Sequence, residues 1–347
     1  MISLDFQNIE YGDLYLLHRL NQAIRQGVSS ASPIVIEFEM AMADYLGVKE
    51  VLATNSGTSA LHLALIGCGV SPGDKVALPV LTFAATASVI KYMGANPIFS
   101  DVDLDTWCIL PQSFLEHFNA FKDKFIMPVD LYGNLVDLMK LECSKLILDS
   151  AESLGARGKN WANYTCYSFN GNKIMTTGAG GLLIGYNLDW LRELSTQAKL
   201  PGGCHFAVGY NYRMAGINAA LGLSQLRKLP YFLERKRTIN QIYKRELSSY
   251  LRFQLATPGT NPSWWMTAAL WPFGTDINST QKLLFGKGIP TRRIFRPLNQ
   301  SEPFKDGRSY PVAEDIYNRG LCLPSSTLMT NEDVYEVCKI LKEVCFG

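Results

Sequence analysis

The sequence predicts an α/β fold with a mainly parallel sheet in a large domain, followed by a smaller α+β unit. Three observations lead there. Short apolar runs lacking polar alternation recur through the first two thirds of the chain, as expected of strands covered on both faces. Helical stripes separate them, several closed by glycine. After about Met214 the pattern gives way to long helical stretches rich in Arg and Lys.

Taken in order, Leu14, Leu17, Leu20 and Ile24 keep one helical stripe that Gly27 ends, and a second helix runs from Ile34 to Leu46 and stops at Gly47. Glu50 to Thr54 reads as a strand and Thr58 to Ile66 as a helix. Val76 to Pro79 is a buried strand, and Ala84 to Met93 a helix ending at Gly94. Pro97 to Ser100, Phe125 to Val129, Leu146 to Asp149, Tyr164 to Phe169 and Leu182 to Tyr186 are further apolar runs. Alternation of this kind implies layers of helix on a parallel sheet. Two long helices then follow, Asn218 to Leu229 and Tyr231 to Leu251, the second a solvated connector. Pro258 to Pro262 makes a turn, Thr267 to Phe273 a strand, and Asp333 to Val344 a closing helix. The expected division is a large domain over residues 30–235 and a small one from 1–29 and 236–347.

At 347 residues and 47% hydrophobic, the chain is long enough for a large core. A formal net charge of +2 gives no support for a nucleic-acid or anionic-membrane surface. The eight cysteines form no Cys-x-x-Cys pair and lack zinc spacing, so they read as thiols in a cytoplasmic protein without a metal site. The start lacks a signal-peptide pattern, and the longest nearly apolar run, between Lys75 and Lys91, is broken by Pro79 and too short to span a bilayer.

Four segments fall where strands end, the position at which open α/β sheets bind ligands. Thr54-Asn55-Ser56-Gly57-Thr58-Ser59-Ala60 links a strand to a helix, and its first amides and hydroxyls suit a phosphate. Leu81-Thr82-Phe83 offers an aromatic face to a planar ring. Leu148-Asp149-Ser150-Ala151-Glu152 puts an acid where it could hold a pyridinium nitrogen protonated. Tyr167-Ser168-Phe169-Asn170-Gly171-Asn172-Lys173 projects a lysine from a turn just before Gly178-Ala179-Gly180-Gly181, and a partly buried lysine can form a Schiff base. Each has a plainer reading when taken alone: a capped helix, a core phenylalanine, an N-cap aspartate, a surface turn lysine. Their order on successive strand ends is what carries specificity.

Together these stretches resemble the DegT/DnrJ/EryC1/StrS family, sugar-nucleotide aminotransferases of the fold-type-I pyridoxal-phosphate (PLP) architecture. The resemblance covers Ile34 to Pro324. It rests on Asn55-Ser-Gly-Thr-Ser-Ala-Leu-His-Leu-Ala64, Asp149-Ser-Ala-Glu-Ser-Leu-Gly155, Ser168-Phe-Asn-Gly-Asn-Lys173, Gly209-Tyr-Asn-Tyr-Arg-Met214 and Gly288-Ile-Pro-Thr-Arg292. The Asn-Gly-Asn-Lys-Ile-x-Thr-Thr-Gly form around Lys173 looks most like the branch acting on UDP-linked 4-keto-6-deoxy-N-acetylhexosamines, which feeds bacillosamine- and legionaminic-type sugars.

The resemblance implies that Lys173 is the Schiff-base lysine and the acid/base, with Asp149 on the pyridine nitrogen and Phe83 on the ring. It implies that Gly57, Thr58, Ser59 and Ser168 hold the phosphate. Glu152 stands where many relatives have Gln near the ring hydroxyl. Asn211 and Arg213 match residues that reach the phosphate from a second subunit, which implies a homodimer. Ser29, Arg292, Arg293 and Arg296 are implied as substrate-binding, L-glutamate as donor and a UDP-linked keto sugar as acceptor. Three departures bear on substrate choice: Asp130 where many relatives have His, a short segment from Leu200 to Val208 that opens the mouth, and Arg293 where Pro is common. Two other readings stand beside this one. A dehydratase branch carries His in place of the lysine, and none of His18, His62, His117 or His205 is at that position. A non-catalytic PLP binder would keep the fold without the chemistry.

Overall fold

A computed structural model describes residues 13–28, 32–109, 125–141, 145–156 and 162–346. Helix α1 (Leu14–Gln26) begins at Asp13, whose side chain accepts from Leu16 N, and α2 (Pro33–Leu46) ends at Gly47 in the left-handed conformation. The sheet then forms from β1 (Leu52–Thr54), β2 (Lys75–Pro79), β3 (Asn96–Ser100), β4 (Phe125–Ile126), β5 (Lys145–Asp149), β6 (Tyr164–Ser168) and β7 (Gly181–Gly185). Between these lie α3 (Gly57–Gly67) and α4 (Ala84–Tyr92), and after them α5 (Leu188–Ser195).

The strand order is β1-β7-β6-β5-β4-β2-β3, parallel throughout except at β7, which runs against both β1 and β6. The predicted α/β architecture with a mainly parallel sheet is therefore present. The run expected to reach Val129 is shorter as a strand, because only Phe125 and Ile126 pair with both neighbours. Val129 returns to the sheet edge through an isolated bridge to Asp149.

The C-terminal part differs from expectation at one place. The two helices predicted on either side of Pro230 are a single helix, α6 (Gly216–Leu247), with Pro230 inside it. Proline removes one N–H from the ladder, yet its fixed φ suits a helix. Burial of Leu229, Phe232 and Leu233 around it holds the helix together. Nor is the second half a solvated connector: Lys236 is buried, Lys244 lies 4.1 Å over the Trp264 ring, and Arg235 donates to Met329 O. These cations fasten the helix to the C-terminal segments.

Beyond it come β8 (Arg252–Phe253), β9 (Thr267–Leu270), α7 (Ile277–Gly286), β10 (Arg292–Arg293), α8 (Pro311–Arg319), β11 (Gly320–Leu323) and α9 (Asn331–Cys345). The four strands form a second, antiparallel sheet in the order β10-β11-β9-β8. Its core includes Tyr243, Leu247, Trp271, Leu321 and Leu341. Trp265, Ile294, Leu298 and Tyr310 instead join the core of the larger sheet. Helix α1 packs on the first half of α6, where Ser224 Oγ donates to Asp13 (2.8 Å) and Lys228 pairs with it (3.0 Å). No described helix is long and apolar enough to cross a membrane. The described cysteines form no disulfide with one another, and Cys68, Cys108, Cys166, Cys322 and Cys338 are buried.

Candidate active site

Strands β1, β2, β5 and β6 run in one direction, so their carboxyl ends share one edge of the sheet. A cavity of about 270 Å³ opens there. It is lined by the turn before α3, the start of α4, the ends of β5 and β6, and side chains from the C-terminal part of the chain.

The phosphate-like corner is built by close approach. Ser56 caps α3, its Oγ accepting from Ser59 N at 3.1 Å. Gly57 follows because a Cβ there would lie 2.9 Å from Ser168 Cβ. Gly181 meets the same turn from β7, where a Cβ would lie 2.4 Å from Ser56 O. Gly57, Thr58 and Ser168 thus surround the free N–H groups of a helix start, an environment that attracts an anion. Ser59 is set differently: it is buried, and its hydroxyl donates to Asn55 Oδ1 at 2.6 Å.

Asp149 ends β5 at 5% exposure. Its carboxylate accepts from Thr86 Oγ1 (2.8 Å) and Ala151 N (3.1 Å). Burial pushes its carboxyl up to about 6 against these two hydrogen bonds, and the nearby Glu152 adds to the rise. Such a buried acid is primed to take a cation opposite it.

Lys173 leaves the Asn-Gly-Asn turn after β6, a turn closed by Lys173 N donating to Asn170 O at 3.0 Å. Its Nζ lies 3.1 Å from Glu152 Oε1 and 4.0 Å over the ring of Trp265. The other oxygen of Glu152 accepts from Tyr132 N at 2.7 Å, so the carboxylate is held from both sides. Phe83 stands at the start of α4 with 57% of its surface exposed, its ring 5.9 Å from Phe295. An aromatic so open, beside a cavity, is available to a planar ligand.

Of the sequence-predicted residues, Gly57, Thr58, Phe83, Asp149, Glu152, Ser168, Lys173 and Arg292 line the one cavity. Asn211 and Arg213 do not. They lie exposed beyond the rim, beside Asn55, whose side chain donates to Asn211 O at 3.0 Å. Arg293 donates to Asn278 Oδ1 and Tyr317 O, both at 2.8 Å, and Arg296 donates to Tyr317 Oη at 3.1 Å. Ser29 lies outside the described residues. Asp130 faces away from the cavity: it accepts from Val136 N (2.9 Å), Ser150 Oγ (2.9 Å) and Ser153 Oγ (2.7 Å), and so braces the loop that carries Glu152. The segment from Leu200 to Val208 is exposed and does not line the cavity. Sequence reasoning missed Trp265 and Phe295. Paired tryptophans at 264 and 265, just before a strand, were the available signal for the first.

The sequence matches the DegT/DnrJ/EryC1/StrS aminotransferase family over residues 13–342. The chain belongs to this family. It is 34% identical to GDP-perosamine synthase of Escherichia coli O157:H7, with 91% of each chain covered. It is 32% identical to UDP-4-amino-4,6-dideoxy-N-acetyl-beta-L-altrosamine transaminase of Campylobacter jejuni, with 71% of this chain and 69% of that one covered. Its fold resembles the aminotransferase TlmJ of Streptoalloteichus hindustanus, with a TM-score of 0.91, 24% identity and 99% of each chain covered. The protein is a PLP-dependent aminotransferase of fold type I. The cavity fits that cofactor on its own geometry: a buried acid, an open aromatic, an anion corner and an amine converge on it.

Proposed function

We propose that the protein transfers an amino group from L-glutamate to C4 of a nucleotide-linked keto-deoxy sugar, for amino-sugar and surface-glycan biosynthesis in the cytoplasm. The observation that carries this reading is the convergence of Lys173, Asp149, Phe83 and the start of α3 on one cavity with an arginine at its side. PLP, when bound, supplies an aldehyde that carries the amino group between donor and acceptor and a ring that draws electrons from the reacting carbon.

In this reading the amides of Gly57 and Thr58 and the hydroxyl of Ser168 hold the phosphate, with Ser59 serving as a brace through Asn55. Phe83 covers the ring. Asp149 presents its charge to the ring nitrogen, and a cation there draws its carboxyl back toward full ionisation. Lys173 is the covalent carrier of the cofactor and moves the proton at the substrate carbon. Glu152 fixes where that amine rests between turns. Arg292, against Phe295 at 5.6 Å, meets the sugar diphosphate or the donor carboxylate. Arg293 and Arg296 are held by Tyr317 and act at the rim. Asn211 and Arg213 complete the phosphate site of a second subunit, so the working form is a homodimer.

The nucleotide is read in two ways. The motif around Lys173 favours UDP. The relative named GDP-perosamine synthase, matched over 91% of this chain, favours GDP. Incubation with isotopically labelled L-glutamate, PLP and UDP- or GDP-linked 4-keto-6-deoxy sugars tests the proposal. Labelled nitrogen in one sugar product supports it and names the nucleotide. Deoxygenated sugar without nitrogen would replace it with the dehydratase reading.

A further inference from the structure

Lys236 is an unusual residue to find in the middle of α6. It is 2% exposed, and its ammonium donates to the carbonyl of Trp265 at 2.8 Å and to the carbonyl of Ser325. A buried lysine is costly unless it is well bonded, and burial pushes this one down to about 7. The two carbonyls it joins belong to segments that flank the second sheet: Trp265 precedes β9, and Ser325 follows β11. Ser325 Oγ in turn accepts from Thr267 N at 3.1 Å, so the three segments are tied at one point.

Trp265 is also the residue that touches Lys173. It is 1% exposed, its ring face lies under the Lys173 ammonium, and its indole N–H donates to Asn172 O at 2.6 Å. One side chain therefore holds both the turn and the amine that the turn projects. A backbone shift of Trp265 would move both. Lys236 holds that backbone from behind, and Gly133 admits it from the other side because a Cβ there would lie 2.8 Å from Trp265 N.

We propose that Lys236 is a positioning residue that acts through Trp265 to aim Lys173 and to hold its charged form. The charged groups facing Lys173 are Glu152 at 3.1 Å and Asp149 at the end of β5, with Arg292 across the cavity. A cation over an indole face is favoured as the ammonium. Releasing Trp265 leaves the charge to the carboxylates of Glu152 and Asp149 without the indole face.

The importance of Lys173 rests on the proposed function, but the test does not require it. The full-length protein is freed of cofactor and labelled with an amine-reactive anhydride across a pH series, and the Lys173 peptide is followed by mass spectrometry. Lys236→Met and Trp265→Leu are each expected to lower the pH of half-reactivity of Lys173 by about one unit. The double variant should shift it no further than either alone. Lys236→Gln keeps a donor and should shift it less, and it serves if the methionine variant fails to fold. With PLP restored, the titration of the visible lysine-linked band should move in the same direction. An unchanged Lys173 profile in the Lys236 variants, with a shifted one in Trp265→Leu, would overturn the inference. A shifted profile in protein that never gives a visible band would leave the inference standing and remove the cofactor reading instead.

Discussion

The Nζ of Lys173 lies 3.1 Å from Oε1 of Glu152, and both groups are largely buried at the floor of the cavity. The contact holds the amine in place beside the carboxylate. Glu152→Gln would keep one acceptor oxygen, enough for Tyr132 N or for the amine but not for both, while removing the charge. The expected result is a folded enzyme whose activity stays within about tenfold of wild type. Its lysine-linked cofactor band should titrate about one unit lower, as one lost charge contact of this kind warrants. Spectrophotometric titration checks it.

Lys173→Ala removes the amine altogether. Loss of a group that carries the cofactor and moves a proton lowers kcat by at least about 10³-fold, near the upper range for general acid–base catalysis. The variant should still bind PLP at the phosphate corner, without the lysine-linked band. Equilibrium dialysis and a visible spectrum separate the two effects.

Asp149 makes a prediction with opposite signs for stability and activity. Its carboxyl sits near 6 in the folded chain against 3.8 for the ordinary group. Folding therefore takes up a proton between those values, and stability of the cofactor-free protein falls as pH rises from about 4 through 6. Above pH 6 the full cost remains, on the order of 3 kcal/mol for a shift of about two units. Asp149→Asn keeps hydrogen bonds to Ala151 N and Thr86 without the charge. It should raise the melting temperature of the cofactor-free protein at pH 8 and leave it nearly unchanged at pH 4. The same variant should lose most transamination activity, because no anion then faces the ring nitrogen.

Gly57→Ala places a methyl 2.9 Å from Ser168 Cβ, part of a backbone-anchored strand end that cannot swing aside. Overpacking of this kind costs about 1–3 kcal/mol, and much of it should fall on the bound phosphate. PLP affinity should weaken roughly tenfold or more, measured by fluorescence titration.

Arg213 and Lys173 test the dimer. In a homodimer with shared sites, Lys173→Ala and Arg213→Ala subunits are each impaired, but a mixed dimer contains one site with both residues intact. Mixing the two variants at equal amounts should restore roughly a quarter of wild-type activity. Additive residual activity would place Arg213 outside any shared site.

The sequence is informative about this molecule at strand ends and less so at long range. Glycine stops marked α1 and α2, and apolar runs marked β2, β5, β6 and β7, because local periodicity and turn chemistry settle those elements. Pro230 misled for a physical reason: the local cost of a proline is outweighed by burial of Leu229, Phe232 and Leu233, which no window of sequence reveals. Asp130 was legible as a departure but not in its orientation, since its partners Ser150 and Ser153 lie twenty residues away in sequence and more. Trp265 stayed hidden because it reaches Lys173 across ninety-odd positions of chain, through a fold in which the second sheet closes against the first.

The central claim is that Lys173 carries a cofactor able to take the amino group of L-glutamate. The most direct measurement is the visible absorbance spectrum of the purified protein with PLP, before and after L-glutamate. A lysine-linked band, absent in Lys173→Ala, that bleaches on addition of the amino acid is the predicted result. A spectrum identical to that of free PLP, and indifferent to L-glutamate, would contradict the account.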